Sequence, residues 1–214
     1  MVGELVGRLP LGIPSFILIL TAVLFAARMA LRHAYRIPPT WRASIVETLD
    51  AGIFAALLSL VIITFVVQAF FIPSGSMEPT LQIGDRILVS KFIYRFTPIR
   101  RGDVIVFRYP LNPGKDFVKR VVALPGEKVE LKDGVVLING RAIPEQYPTV
   151  LPESDRACTS NYGPVTVPAN KLFVLGDNRC NSEDSRYFGF VPVENVVGKA
   201  FLIYWPPHRI GVVR

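Results

Sequence analysis

The sequence predicts a mostly β extracytoplasmic domain anchored by two N-terminal transmembrane α-helices. Three observations predict it. The chain has 214 residues, 50% hydrophobic and 19% charged, against about 25% charged in ordinary soluble domains, and the excess apolar content is concentrated in roughly the first third. Arginines cluster between two apolar runs. From Ile83 onward the apolar runs become short and are separated by Gly-Asp, Asp-Gly and Asn-Gly turns.

Residues 1–8 are expected to form a short extracytoplasmic N-terminus. Leu11 to Ala27 is almost wholly apolar, broken by Ser15 and Thr21, and Arg28 closes the run. About twenty residues at ~1.5 Å each cross a ~30 Å hydrocarbon core, so 9–29 is the first predicted span, with Arg28 snorkelling to the interface. A cleaved signal peptide is the competing reading. It is disfavoured by the lack of an ordinary basic leader and by the longer apolar run that follows.

Residues 30–49 form a predicted connector. Arg28, Arg32, Arg36 and Arg42 lie in and beside it, and Pro38-Pro39 interrupts any helix there. The positive-inside rule assigns this connector to the cytoplasm. Ala51 to Ile72 then carries no charge, and its polar members are Ser59, Thr64 and Gln68. That stretch exceeds what the buried helix of a small domain needs, so 50–72 is the second predicted span. Residues 73–214 follow on the outer side.

In that outer part, Arg86–Ser90, Val104–Arg108, Phe117–Ala123, Val129–Leu131, Val135–Ile138, Lys171–Leu175 and Lys199–Trp205 read as strands. Asp133-Gly134 and Asn139-Gly140, set between apolar runs, are hairpin signals. A small insert is expected over about 129–169, with Arg141–Ala169 Pro-rich and weakly periodic.

Net charge is +7. The basic residues of the outer part are scattered, which reads first as solvated surface and second as attraction to anionic lipid headgroups. No nucleic-acid-binding motif is present. Two cysteines, Cys158 and Cys180, and two histidines stand far apart without Cys-x-x-Cys spacing, so neither a metal nor a cofactor is expected. In an oxidising compartment Cys158 and Cys180 either pair or stay free, and sequence leaves both open.

The chemistry centres on Pro73-Ser74-Gly75-Ser76-Met77-Glu78-Pro79-Thr80-Leu81, directly after the second apolar run. A serine hydroxyl needs a base. His33 lies in the connector and His208 in a C-terminal surface tail, which disfavours a Ser-His-Asp triad. Lys119, in Phe117-Val118-Lys119-Arg120-Val121-Val122, is the alternative. Strand alternation places it on the face of Phe117 and Val121, with Arg120 opposite. Desolvating a lysine disfavours the ammonium and makes the amine usable as a base. An edge-strand lysine reaching to solvent fits the same local pattern. Gly176 to Gly189 is a dense polar loop, either solvated surface or a scaffold for the base. Cys180 as nucleophile has no nearby histidine.

Four blocks in order resemble the type I signal peptidases of bacteria: Pro73–Leu81, Gly84–Val89, Arg101–Phe107 with Val118–Gly126, and Gly176–Arg179 with Asn181-Ser182 and Asp184–Arg186. Together they reach across nearly the whole outer domain. The resemblance implies a serine endopeptidase with a Ser/Lys dyad in the plasma membrane, multi-pass, its catalytic domain on the extracytoplasmic side. It would remove signal peptides from exported preproteins after small residues at −1 and −3, near the export translocon and against the phospholipid bilayer. By the same resemblance Ser76 is the nucleophile and Lys119 the general base. Ser74 and the Ser76 backbone N–H form the oxyanion hole, and Ser182 orients Lys119. Asp177 with Arg120, and Asp184 with Arg186, brace the site. The sequence departs from the family pattern at Cys180, commonly Asp, and in its short insert. A specialised peptidase, or an inactive membrane protein that only captures signal sequences, would carry similar blocks.

Overall fold

Two helices make up most of the first third of the described chain. The computed structural model describes residues 7–8, 12–32, 38–145, 147, 149 and 161–214. After a short strand β1 (Gly7–Arg8) come α1 (Gly12–Arg32) and α2 (Pro39–Val61). The helices pack on each other, with Gly52 facing Leu24 and Arg28 Nη2 donating to Asp50 Oδ2 at 3.1 Å. Phe16, Ile19 and Val23 of α1 and Phe54, Leu57 and Val61 of α2 remain exposed. Thr40–Val66 is long and apolar enough to cross a membrane by length and composition. The apolar part of α1 found among the described residues, Ser15–Leu31, is shorter than that standard.

The boundaries of the second helix differ from those expected. It begins at Pro39, so the latter part of the expected connector, Arg42 included, is helical. Pro38 is extended (φ −54°, ψ 140°) and Pro39 takes the first turn, where its missing N–H costs nothing. The helix also ends early. A π-helical turn, Ile62–Val66, leads into strand β2 (Val67–Phe71). Phe70 and Ile72 are apolar because they feed a β core, where they are 0% and 1% exposed. Full burial of such side chains contributes ~1.5–3 kcal/mol each. Within the expected short N-terminus, the described residues Gly7 and Arg8 form a strand. Gly7 pairs with Phe71 and Arg8 with Phe70, which makes β1 the sheet's edge.

The remaining strands are β3 (Arg86–Ser90), β4 (Val104–Tyr109), β5 (Asn112–Ala123), β6 (Lys128–Lys132), β7 (Val135–Ile138), β8 (Arg141–Ala142), β9 (Tyr162–Thr166) and β10 (Lys171–Leu175). A one-turn helix α3 (Ser185–Phe188) follows, then β11 (Val191–Pro192), β12 (Val196–Trp205) and β13 (Gly211–Val212). The larger sheet runs β1-β2-β3-β12-β4-β5-β10-β11, with β13 also on β12, and the smaller runs β8-β7-β6-β9. By contacts the chain divides into a helical unit, Leu9–Gln68, and a β unit, Ala69–Arg214 with Met1–Arg8.

Both faces of the large sheet are covered, so its central strands lack polar alternation. Val104 and Val106 of β4 join Phe70, Met77, Leu81 and Ile87 on one side. Ile105 and Phe107 join Phe117, Val121 and Phe188 on the other. The insert is the small sheet, cored by Val129, Leu131, Val136 and Ile138 with Phe173. Its two tight turns have positive φ at both central residues, Asp133 and Gly134, then Asn139 and Gly140. That is the hairpin geometry these dipeptides favour.

Candidate active site

Ser76 is placed by its neighbours in sequence. Met77 and Leu81 are fully buried in the core, and Leu81 N–H bonds Met77 O at 2.9 Å. This helical turn pins the loop after β2 and leaves Ser76 1% exposed. Lys119 arrives from β5, in register with Ile105 of β4. It is 0% exposed, and its Nζ lies 5.6 Å from the centroid of Phe117 on the same strand face. Lys119 Nζ and Ser76 Oγ are hydrogen-bonded at 2.8 Å. An ammonium donates in that contact. A neutral amine there would instead accept the hydroxyl proton, which is the arrangement a general base requires.

Arg120 points to the opposite face, as alternation requires. Its Nε and Nη2 donate to Asp177 Oδ1 and Oδ2 at 2.8 and 2.6 Å, and both side chains are 1% exposed. Thr80 Oγ1 donates to the same carboxylate at 2.6 Å. The pair therefore ties β5, the serine loop and the polar loop together. Arg120 Nη1 also donates to Gly102 O at 2.9 Å. Asp184 is fully buried. It caps α3, takes Arg186 Nε and Nη2 at 2.8 Å each, and accepts Gly176 N–H at 3.1 Å.

Gly176 is where the polar loop meets the serine. A Cβ built there would stand 2.2 Å from Ser182 Oγ and 2.5 Å from Ser76 O, so only glycine allows this approach. Next to it, Asn178 N–H bonds Ser76 O at 3.0 Å.

The expected hydrogen bond from Ser182 to Lys119 is not formed. Ser182 is 8% exposed, and its Oγ, pressed against Gly176, is buried without a partner. Ser74 is half-buried on the same turn as Ser76. Cys180 is disulfide-bonded, and Cys158 lies outside the described residues. His208 is exposed in the turn Pro207–Arg209, and His33 lies outside the described residues. Among the described residues no group of His, Cys, Asp and Glu could hold a metal.

Several supporting residues escaped the sequence reading. Asp85, 1% exposed, takes Arg209 Nε and Nη2 at 2.8 and 2.9 Å, and Arg209 also donates to Thr80 O at 3.2 Å. Asp85 had looked like a turn residue and Arg209 like tail. Tyr147 lies under the Arg120 guanidinium, 4.1 Å from carbon to ring centroid, and donates to Glu145 Oε1 at 2.8 Å. Glu145 also accepts from Arg179 Nη2. Burial, then the Glu145 charge and hydrogen bond, push the Tyr147 phenol up from its ordinary value, so it stays a neutral donor. No local pattern signals Arg120–Tyr147, Glu145–Arg179 or Asp85–Arg209, which join residues 27, 34 and 124 positions apart.

The family described as signal peptidase, peptidase S26, matches residues 45–205 of this chain. The chain belongs to that family. It is 46% identical over 165 residues to a signal peptidase I of Leptolyngbya laminosa, covering 73% of this chain and 78% of the relative. It is 44% identical to a probable signal peptidase I-2 of Synechocystis, covering 74% and 72%. It is 38% identical over 232 residues to the signal peptidase I of Mycobacterium tuberculosis, covering 82% and 78%. A crystal structure of a signal peptidase I from Enterococcus faecalis aligns with a TM-score of 0.43 at 37% identity, over 48% of this chain and 97% of that one. As a member of this family the chain is a peptidase, and Ser76, Lys119, Arg120, Asp177, Asp184 and Arg186 fall inside the matched span.

Proposed function

We propose that this protein is a membrane-anchored serine endopeptidase that removes N-terminal signal peptides from exported preproteins with a Ser76/Lys119 dyad. The 2.8 Å contact between Lys119 Nζ and Ser76 Oγ, both fully buried, carries this reading. The names of the relatives supply the substrate class.

In the proposed reaction neutral Lys119 takes the Ser76 proton as Oγ attacks the scissile carbonyl. The oxyanion is held by the Ser76 N–H and the Ser74 hydroxyl. Donors aimed at developing charge are typically worth about 10²–10³ in kcat each. The Lys119 proton passes to the leaving amine, the mature chain departs, and the signal peptide remains as an ester on Ser76. Lys119 then activates water to hydrolyse that ester. Ser182, whose hydroxyl has no partner in the free protein, turns to Lys119 when substrate excludes water. Small residues at −1 and −3 of the substrate are the expected specificity.

The anchoring reading rests on the helical pair. Both helices are taken as spans, with the arginine-bearing connector cytoplasmic. Strand β1, before α1, pairs with β2, after α2, so the two ends of the pair belong on one side. The β unit then faces outward from a bacterial plasma membrane. There the apolar part of a signal peptide lies in the bilayer, close to the translocon, and proximity is itself a catalytic term.

The test is cleavage of a preprotein carrying an Ala-x-Ala site by detergent-solubilised protein, with Ser76→Ala and Lys119→Ala beside the parent. The parent is expected to cut at that site and both variants to be inactive while folded. Cleavage by Ser76→Ala refutes the dyad. A parent that binds the preprotein and never cuts it refutes the peptidase reading of this site in favour of a capture protein.

A further inference from the structure

We infer that Asn178 is a positioning residue that aims the Ser76 backbone N–H at the oxyanion, an inference that rests on Ser76 being the nucleophile. Asn178 reaches the serine loop twice. Its own N–H donates to Ser76 O at 3.0 Å, and its side-chain Nδ2 donates to Gly75 O at 3.2 Å. The second bond decides the matter. Gly75 O also accepts Glu78 N–H at 3.2 Å, so both lone pairs of that carbonyl are engaged. The Gly75–Ser76 peptide is not among the cis bonds. In a planar trans peptide the N–H points opposite to the C=O. Fixing the direction of Gly75 O therefore fixes the direction of the Ser76 N–H, away from Asn178 and from the turn.

The Asn178 amide is itself oriented. Its Oδ1 accepts Asn181 N–H at 3.2 Å, which only the oxygen can do, so Nδ2 must be the atom that faces Gly75 O. The loop behind it is held by Arg179 Nε on Gly176 O at 3.1 Å and by Arg186 Nη2 on Arg179 O at 2.7 Å. Gly75 has no Cβ to intervene, and one built there would meet the Glu78 carboxylate at 2.9 Å. The polar loop thus braces the proposed oxyanion donor through Asn178.

The test compares the parent with Asn178→Ala and Asn178→Asp in the detergent-solubilised full chain. Both variants keep the backbone bond to Ser76 O. Asn178→Asp also keeps an acceptor for Asn181 N–H, so the loop retains its fold even where the alanine variant does not. Three quantities are read: kcat and KM on a signal-peptide substrate, the affinity of a peptide aldehyde that forms a tetrahedral adduct with a serine, and inhibition by the cleaved signal peptide, which forms none. The expected result is a kcat lower by about 10–10²-fold, part of a full donor's worth, with KM nearly unchanged. Aldehyde affinity should fall in parallel and product inhibition should hold. An unchanged kcat overturns the inference. So does aldehyde affinity that holds while kcat falls, and so does equal weakening of aldehyde and product, which marks a general loss of structure. Ser76→Ala is run alongside: if it still cleaves, the underlying reading fails, whereas an inactive Ser76→Ala with unaffected Asn178 variants removes only this inference.

Discussion

Removing the Asp177 carboxylate should destabilise the β unit while leaving Ser76 and Lys119 chemically intact. Asp177 and Arg120 are each 1% exposed and joined by two bonds of 2.8 and 2.6 Å. Asp177→Ala leaves the guanidinium buried and short of its counter-charge, which typically costs ~3–5 kcal/mol. Arg120 keeps Gly102 O at 2.9 Å and the Tyr147 ring, which argues for the lower part of that range. Thr80 Oγ1 loses a 2.6 Å acceptor, which adds about 1 kcal/mol for the unmet O–H donor, while its oxygen keeps Arg120 Nη2 at 3.2 Å. At roughly 2–4 °C per kcal/mol for a domain of this size, the midpoint should fall by about 10 °C. The assay is thermal unfolding of the full chain in detergent followed by near-ultraviolet circular dichroism. Arg101→Ala serves as the comparison, because its partner Glu127 and Arg101 itself are 21% and 29% exposed and such pairs are worth about 0.2–1 kcal/mol. The double variant Arg120→Met/Asp177→Leu should regain much of the loss, since no buried charge is left unpaired. If Asp177→Ala lowers the midpoint no more than Arg101→Ala does, the pair is not the brace described above.

Gly176→Ala should abolish cleavage, and adding Ser182→Ala should not restore it, because the new methyl still meets the Ser76 carbonyl at 2.5 Å; recovery in the double variant would show that only the hydroxyl was in the way. The Tyr109 phenol is pushed up to about 12 by burial and then by its hydrogen bond to Glu183. A raised folded-state value means stability that is complete below pH ~10 and lost as pH climbs toward 12. Tyr109→Phe should flatten that alkaline fall in a pH series of thermal midpoints, and an unchanged slope would count against it. Phe70→Ala should cost ~3–5 kcal/mol if residues 67–71 belong to the β core, and little if they lie among lipid tails, which urea unfolding of the β unit distinguishes.

The Lys119 and Arg120 faces were legible in the sequence because a strand has a fixed period of two: once Phe117–Ala123 is a strand, the two cations must diverge. The hairpin turns were legible because Asp-Gly and Asn-Gly relieve a specific backbone strain. The end of α2 was not legible, because an apolar residue bound for a bilayer and one bound for a buried sheet look alike. Val67 to Ile72 read as membrane until their pairing with Gly7 and Arg8 and their burial against Ile87 and Val104 were seen. The braces divided in the same way. Asp177–Arg120 and Asp184–Arg186 sit inside blocks that resemble a known family, so position alone suggested them. Asp85–Arg209 and Glu145–Arg179 link distant segments through side chains that look like ordinary turn and surface charge.

That division has a consequence for the site itself. Three separate stretches converge on the serine loop: Arg120 and Asp177 on Thr80, Arg209 on Thr80 O and Asp85, and Asn178 on Gly75 O and Ser76 O. Each contact is to a backbone or supporting group, and none is to Ser76 Oγ. The hydroxyl is left to Lys119 at 2.8 Å, while the backbone around it is fixed from three sides. With Ser76 as the proposed nucleophile, its N–H as the proposed oxyanion donor and Lys119 as the proposed base on a different strand, such rigid placement is what preorganised electrostatic catalysis requires. It also gives a reason for the buried charges nearest the loop, Asp177 with Arg120 and Asp85 with Arg209: in the proposed reaction an error of an ångström in the loop costs far more in rate than a hydrophobic replacement would gain in stability.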